Sequence, residues 1–382
     1  MRKKRIGRRE FMSDSAVLAA GLAAGFGDAE AADAKKGKAF RDPKAVEPDK
    51  KKILNFNENM EYRRLGKTNL MVSAVCLGGH WKRVQVMLTG RFTGEGYSEA
   101  DKQNVNNTEF LKNRADVVSR CIDVGINYID ACAGPEVLAY SRVLKGRRDK
   151  MYLGYSWFTK ESRVPEWRSA KKLIQSLDES LREAGLDYVD LWRITLPQER
   201  FTDLDEMMAL EHGATEALEM AKKQGKVRFT GVSTHNRMWL KVMIEEYSQQ
   251  LDVVLFPYTA SSKVLPDDSL FDTVKKYDVG VFGIKPFADN ALFEGDSSPN
   301  NPHAAEDARR ARLAVRYILS NPAITAPIPG LVNIAQVDNV AKAVMEHREL
   351  DAKERADLSK ATDQMWARLP EHYQWLKNWE YV

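Results

Sequence analysis

The chain has 382 residues, of which 58 are lysine or arginine and 54 are aspartate or glutamate, so the formal net charge is only +4. Much of the positive excess lies in the N-terminal segment MRKKRIGRRE, and the remainder is near neutral, which argues against a nucleic-acid-binding surface. Hydrophobic residues make up 43% of the chain, as in ordinary globular proteins. No apolar run reaches the ~20 residues that cross a bilayer, so we expect no stable membrane span.

The cysteines and histidines show no metal-binding motif. Cys76, Cys121 and Cys132 form neither a CxxC pair nor a zinc-like spacing, and the six histidines form no HExxH pair. We therefore expect free thiols and no metal site.

The first 32 residues have the three-part layout of a signal peptide. A basic start with an arginine pair leads into a mildly apolar, Ala/Gly-rich stretch and then into a small-x-small cleavage pattern. These parts are Arg8 and Arg9 with Phe11, residues 16–27, and the Ala-Glu-Ala of residues 29–31. The pattern predicts a twin-arginine signal peptide over 1–32, with the twin-arginine export machinery as partner and a periplasmic location. The alternative is a disordered basic tail.

Residues 33–60, rich in lysine, aspartate and proline, are predicted to be a flexible linker. After them the pattern changes to a short hairpin, followed by short apolar runs that alternate with amphipathic stretches. The predicted strands cover residues 74–79, 127–131, 151–157, 188–195, 229–234, 253–258, 280–286 and 324–330.

The stretches between these strands have helical spacing. One of them places Leu173, Leu177 and Leu181 on the same helix face. Eight strand–helix units predict an α/β fold, a (β/α)8 TIM barrel of about 250 residues. We expect the barrel over 61–345, with an N-terminal β-hairpin, and a helical C-terminal extension over 346–382 that packs on it.

Five sequence blocks in order resemble the aldo-keto reductase superfamily of NADP-dependent oxidoreductases. The blocks are YRRLGKTNLMVSAVCLGG, CIDVGINYIDA, LREAGLDYVDLWRITLP, GKVRFTGVSTHN and IPGLVNIAQVDN. The resemblance implies hydride transfer between NADPH and a carbonyl, with a tetrad of Asp, Tyr, Lys and His. The lysine lowers the pKa of the tyrosine, whose phenol otherwise titrates near pH ~10.

Only one member of that tetrad is carried over. Asp130 matches the aspartate, whereas Ala133 is the nearest counterpart of the tyrosine. Ser156 stands in the place of the lysine and Thr195 in the place of the histidine. The catalytic tetrad is therefore predicted to be degenerate.

Arg193 offers a replacement cation. Strand side chains alternate between faces, so an inward Thr195 implies an inward Arg193 one layer lower. Gly154 on the intervening strand leaves space for Arg193 to reach Asp130, and a buried guanidinium needs a partner. We predict an Asp130–Arg193 ion pair, which either only fills the barrel or provides a fixed positive charge under a substrate oxygen. His80, at the end of the first strand, is the first choice for acid–base work.

The resemblance also implies positions for a nicotinamide cofactor, NADP or NAD. The carboxamide would be held by Ser233 and Thr234, an anionic group by Lys285, and the adenine half by residues of the last block. In that block Gly330 belongs to an expected phosphate site at a helix N-terminus, and Gln336 and Asn339 resemble adenine-side residues. The basic residue that usually binds the 2′-phosphate is absent, since Val332 and Asn333 stand there, so NAD is no less expected than NADP.

Three functions remain open. The first is an aldo-keto reductase-like oxidoreductase acting on a small carbonyl or sugar-type substrate with non-standard catalytic residues, which the adenine-side block favours. The second is a non-catalytic ligand-binding barrel, and the third is a sugar lyase or isomerase using His80 and Arg193. The degenerate tetrad favours the last two.

Overall fold

The computed structural model describes residues 49–81, 84, 88, 99–197, 200, 201 and 203–382. The predicted signal peptide, 1–32, and residues 33–48 of the predicted linker lie outside the described residues. All described residues belong to one compact unit, Val46–Val382. In the described part of the chain, no helix is both long enough and apolar enough to cross a membrane.

A short hairpin precedes a sheet of eight parallel strands. The hairpin pairs β1 (Tyr62–Arg64) with β2 (Met71–Ser73) in antiparallel register. The order of the sheet follows the order of the chain. Its strands are β3 (Leu77–Gly78), β4 (Tyr128–Ala131), β5 (Tyr152–Tyr155), β6 (Val189–Leu196), β7 (Val227–Thr234), β8 (Val253–Pro257), β9 (Gly280–Ile284) and β10 (Ala326–Pro327).

The first and last strands close the sheet into a barrel. The backbone N–H of Cys76 donates to the carbonyl of Pro327 at 3.1 Å, and that of Gly78 donates to the carbonyl of Pro329 at 2.8 Å. A parallel bridge between Gly78 and Gly330 continues the seam. The predicted (β/α)8 fold with its N-terminal hairpin is therefore confirmed.

Each barrel strand is followed by a helix, as the alternating pattern predicts. The helices are α1 (Thr108–Asp123), α2 (Gly134–Val143), α3 (Ala170–Ala184), α4 (Leu204–Lys223), α5 (Arg237–Glu246), α6 (Leu270–Lys276), α7 (Ala304–Ser320) and α8 (Ile334–Met345). In α3 the Ser169 side chain caps the first turn by accepting the N–H of Lys172, and Gly185 ends the helix at a φ of 66°.

The N-terminal end of the barrel is closed by the hairpin. Leu65, Leu70 and Val72 join one buried cluster with the inward side chains of the strands. Burial of each such side chain stabilises the fold by about 1.5–3 kcal/mol. The strand side chains of this cluster include Tyr128, Tyr152, Leu191, Val253, Leu255 and Phe282.

Residues 49–60 require a correction to the predicted linker. Ile53 and Met60 are buried. The side-chain amide of Asn55 donates to the carbonyl of Lys150 at 2.5 Å and to that of Ile126 at 3.3 Å. Because these apolar side chains are buried and the amide is hydrogen-bonded at the N-terminal end of the barrel, residues 49–60 are packed against the barrel.

The C-terminal extension covers part of the opposite end. It consists of α9 (Ala352–Arg368) and a 3₁₀ segment, Glu371–Trp379. Trp375 stacks on His235 with ring centroids 3.9 Å apart, and Trp379 stacks on Phe256 at 5.7 Å. The extension therefore forms a wall beside the carboxyl ends of β7 and β8.

Candidate active site

Arg193 and Asp130 form an ion pair inside the barrel. Asp130 lies in β4 and Arg193 in β6, with β5 between them. Nη2 of Arg193 lies 2.5 Å from Oδ2 of Asp130, and Nε lies 3.2 Å from Oδ1. The two side chains are only 5% and 6% exposed. The predicted contact is confirmed, while its role in catalysis stays a prediction.

The pair depends on a glycine in the intervening strand. Gly154 of β5 is in register with Asp130. A Cβ on Gly154 would lie 2.0 Å from the Tyr128 hydroxyl and 2.8 Å from Oδ1 of Asp130. Burial by itself lowers the pKa of Arg193, but Asp130, with smaller contributions from Cys132 and Glu161, raises this pKa above its ordinary value. The guanidinium therefore keeps its charge within the barrel.

A chain of hydroxyl groups links the ion pair to a buried carboxyl group. Nη1 of Arg193 donates to Oγ1 of Thr195 at 3.1 Å, and that atom lies 3.1 Å from Oγ of Ser156. The Ser156 hydroxyl donates in turn to Oε2 of Glu161 at 2.7 Å. Three residues predicted as catalytic, Arg193, Thr195 and Ser156, are thus linked by hydrogen bonds to Glu161, which the sequence did not single out.

Glu161 accepts three further hydrogen bonds. The donors are the backbone N–H groups of Trp157 and Thr195, both at 3.0 Å, and Nε1 of Trp192 at 3.2 Å. Glu161 is 1% exposed. Burial raises its pKa, and the hydrogen bonds oppose the rise only in part. A buried carboxyl group with a raised pKa, joined to the barrel mouth by two hydroxyls, is suited to proton transfer.

His80 belongs to a second polar cluster. Its Nδ1 lies 2.8 Å from Oε1 of Glu136 and 3.2 Å from Sγ of Cys132. The His80 side chain is 31% exposed, whereas that of Glu136 is fully buried. Burial lowers the pKa of His80, but Cys132 and Glu136 outweigh it and raise the pKa to about 10. The sequence indicated acid–base work for His80 but no site role for Cys132 or Glu136.

A cavity of about 760 Å³ opens at the carboxyl ends of the strands. Arg193 and Thr195 lie in its wall on one side. Burial lowers the pKa of His235 well below its ordinary value, and the cations Lys285, Arg163 and Arg200 lower it further. The cavity is thus electropositive. Predicted site residues in its wall are His80, Asp130, Arg193, Thr195, Ser233, Lys285 and Gly330.

A second cavity, of about 190 Å³, lies beside the N-terminus of α8. Gln336 and Asn339, predicted for the adenine half of a cofactor, both line it. Their side chains also bond within the protein. Gln336 accepts the N–H of Val332 at 2.8 Å, and Oδ1 of Asn339 accepts from Arg312 at 2.7 Å.

Two predicted site residues lie away from both cavities. Ser156 is fully buried next to Thr195. Thr234 is 1% exposed, and its hydroxyl accepts the N–H of Asn236 at 3.2 Å. Because Ser233 faces the cavity, alternation along β7 turns Thr234 away from it. The expectation that Thr234 contacts a cofactor is therefore not met by this geometry.

The fold and the site define the class of protein. A (β/α)8 barrel with polar residues at the carboxyl ends of its strands has the architecture of barrel enzymes. Residues 89–363 match the model of the Aldo/keto reductase family. The chain belongs to that family.

Known proteins resemble the chain at moderate identity. An L-galactose dehydrogenase of Arabidopsis thaliana is 28% identical over 200 residues, covering 48% of this chain and 60% of the relative. An L-glyceraldehyde 3-phosphate reductase of Escherichia coli K12 is 24% identical over 250 residues, covering 61% and 63%. The chain thus spans about three fifths of the length of these two relatives.

Two further matches cover more of the chain. A 6-dehydroglucose reductase of Novosphingobium aromaticivorans is 24% identical over 316 residues, or 74% of this chain and 90% of the relative. The holo form of an aldo-keto reductase from Bacillus halodurans is 22% identical with a TM-score of 0.54, covering 79% and 96%. That structure shares the fold.

The ion pair leads to a stability prediction. We expect Arg193→Met to lower the free energy of unfolding by about 3–5 kcal/mol, since it leaves Asp130 buried without a partner. Adding Asp130→Asn should restore part of the loss, because the orphaned charge is then removed. Urea denaturation of the wild type, the single variant and the double variant measures both effects. A single variant as stable as the wild type would contradict this account.

Glu161 gives a pH-dependent prediction. Its folded-state pKa is raised, so its contribution to stability is full below the unfolded pKa near 4.5 and is lost as the pH rises through the folded value. Glu161→Gln keeps the shape but loses acceptor capacity, which costs about 1–3 kcal/mol. The deficit of the variant relative to the wild type should be largest in acid and shrink with rising pH. Denaturant titrations of both proteins at a series of pH values measure the deficit, and a deficit that grew with rising pH would contradict the prediction.

Proposed function

We propose that the protein is an oxidoreductase that uses a nicotinamide dinucleotide on a small carbonyl or sugar-type substrate. The observation that carries the proposal is that the two cavities adjoin, since His80, Phe287, Asn290 and Gly330 line both of them, and we take the two together as one groove. One end of this groove lies at Arg193 and Thr195, and the other at the N-terminus of α8. A dinucleotide has its reactive ring and its adenine at opposite ends, and a groove of this form suits it.

Further features support the proposed dinucleotide and the proposed substrate class. The electropositive walls and the helix N-terminus suit the pyrophosphate. The names of three relatives, L-galactose dehydrogenase, 6-dehydroglucose reductase and L-glyceraldehyde 3-phosphate reductase, describe redox reactions of sugars or a sugar phosphate. A sugar-type carbonyl is therefore the substrate class that we propose.

The chemistry follows from the hydroxyl chain. In the direction of reduction, a nicotinamide dinucleotide, when bound, would supply a hydride to the substrate carbonyl. Arg193 and Thr195 would lie beside the carbonyl oxygen, on which negative charge then develops. The fixed guanidinium stabilises that charge. Thr195 then gives its hydroxyl proton to the oxygen, Ser156 gives its proton to Thr195, and protonated Glu161 gives its proton to Ser156. Glu161 is left ionised and takes up a proton from solvent before the next cycle.

The second cavity, in which we place the adenine half of the dinucleotide, bears on the choice between NAD and NADP. Among the described residues that line it, none is lysine or arginine. A 2′-phosphate would thus lack the cation that normally binds it. We propose that NADH binds at least as tightly as NADPH.

A single substitution tests the placement of the adenine half. Ala335 is exposed and lines this cavity. Ala335→Arg would bring a guanidinium to the 2′-position, so we expect the affinity for NADPH relative to NADH to rise by about tenfold. Ala335→Glu is the matched control and should shift the ratio the other way. Calorimetric titration measures both, and an unchanged ratio in both variants would place the adenine elsewhere.

The catalytic role of Thr195 is tested by removing its hydroxyl at constant volume. We expect Thr195→Val to lower kcat by about 10²–10⁴-fold, as for the loss of an acid–base group, while NADH binding stays unchanged. Oxidation of NADH with a panel of small aldehydes and sugars measures kcat. Thr234→Val, which removes a hydroxyl outside both cavities, is the control. Failure of NADH and NADPH to bind at millimolar concentration would reject the proposed function itself.

A further inference from the structure

Three side chains of metal-binding type meet at the mouth of the barrel. His80 follows β3, Cys132 follows β4, and Glu136 lies in the first turn of α2. One ligand atom from each lies within 4.8 Å of the other two. We refer to these three residues as the mouth cluster. More than fifty positions separate its first and last members along the chain, so only the fold brings them together.

The spacing of the donor atoms is close to that of a tetrahedral ion. Nδ1 of His80 lies 2.8 Å from Oε1 of Glu136 and 3.2 Å from Sγ of Cys132. Zinc bonds of about 2.0 Å to nitrogen or oxygen and about 2.3 Å to sulfur separate tetrahedral donors by roughly 3.3–3.7 Å. An ion between the three atoms would therefore lengthen these two distances by only about half an ångström or less.

The backbone holds the mouth cluster in place. The Glu136 carboxylate accepts the N–H of Cys132 at 2.7 Å and also accepts the N–H of His80. A Cβ on Gly79 would lie 2.1 Å from this carboxylate, so glycine is needed for the close approach. His80 itself has a left-handed φ of 55°, which turns its ring toward Glu136. The donors are thus positioned before any ligand arrives.

We propose that His80, Cys132 and Glu136 bind a divalent transition metal, and that zinc is the ion that fits best. Imidazole, thiolate and carboxylate are the three ligand types that zinc accepts, whereas magnesium and calcium prefer oxygen alone. One thiolate and one carboxylate also neutralise the charge of a divalent cation.

The position of the cluster gives the ion an open coordination site. His80 and Cys132 line the large cavity, whereas Glu136 is fully buried behind them. Catalytic zinc sites have this arrangement, in which three ligands come from the protein and the fourth position is open to a cavity. Because Arg193 and Thr195 line the same cavity, the fourth position faces the space that a substrate oxygen would occupy. The metal site itself rests on the geometry of the cluster and not on the proposed oxidoreductase activity.

Cobalt(II) provides the test, because its thiolate complexes absorb where the protein does not. The full chain, stripped with a chelator, is titrated with cobalt(II) and then with zinc. We expect one equivalent of cobalt(II) to give a thiolate charge-transfer band and tetrahedral d–d bands, which zinc abolishes and excess magnesium does not. Absence of saturable cobalt(II) or zinc binding overturns the proposal.

Matched variants assign the site. Cys132→Ser should remove the charge-transfer band, and His80→Asn, which tolerates the left-handed backbone, should weaken cobalt(II) binding at least about tenfold. Cys121→Ser, at a buried thiol outside the cluster, and His235→Asn, at another histidine in the cavity wall, should change neither. A band that persists in Cys132→Ser also overturns the assignment.

Far-UV circular dichroism checks that each variant is folded, and NADH binding by the wild type separates the two proposals. Metal binding without dinucleotide binding rejects the proposed function alone. Dinucleotide binding without metal binding rejects the metal site alone.

Discussion

The buried ion pair between Asp130 and Arg193 fixes the positions of the polar groups around it. Taking two such charges out of water costs several kcal/mol per ion, and the cost is offset only by close two-point contact. Gly154 makes that contact possible from two strands that are not neighbours. Once the guanidinium is anchored, its remaining nitrogen, Nη1, points to Thr195, and the hydroxyl chain toward Glu161 begins there.

The two carboxyl groups near Arg193 have different surroundings. Asp130 meets the guanidinium directly through two hydrogen bonds. The hydrogen bonds that Glu161 accepts come from neutral groups, a hydroxyl, an indole and two backbone amides. Neutral donors compensate burial less than a contacting cation does, so the pKa of Glu161 rises. Its surroundings therefore suit the Glu161 carboxyl group to exchange a proton.

Strand periodicity was sufficient to predict the barrel and its ion pair from the sequence. Alternation placed Arg193 on the same face as Thr195, and eight strand–helix units placed both in a closed barrel. The same rule, applied to Ser233, also turns Thr234 outward. Glu161 lies beyond the end of β5 and Glu136 lies in the first turn of α2, so strand alternation predicts nothing about their contacts. The turn at His80 needs a positive φ, which a histidine does not indicate. The contacts of these residues therefore had to come from the structure.

The absence of the family tyrosine explains why the proposed reaction needs a separate proton source. In the family tetrad one tyrosine both faces the substrate oxygen and donates its proton, helped by a lysine. Arginine stays charged at neutral pH, so in the proposed reaction Arg193 would stabilise a developing oxyanion but would not protonate it. The proton would then come from another group within hydrogen-bonding reach of Thr195, and Ser156 connects that position to Glu161. The proposed reaction would thus divide charge stabilisation and proton delivery, which one side chain provides in the family, between β6 and the loop after β5.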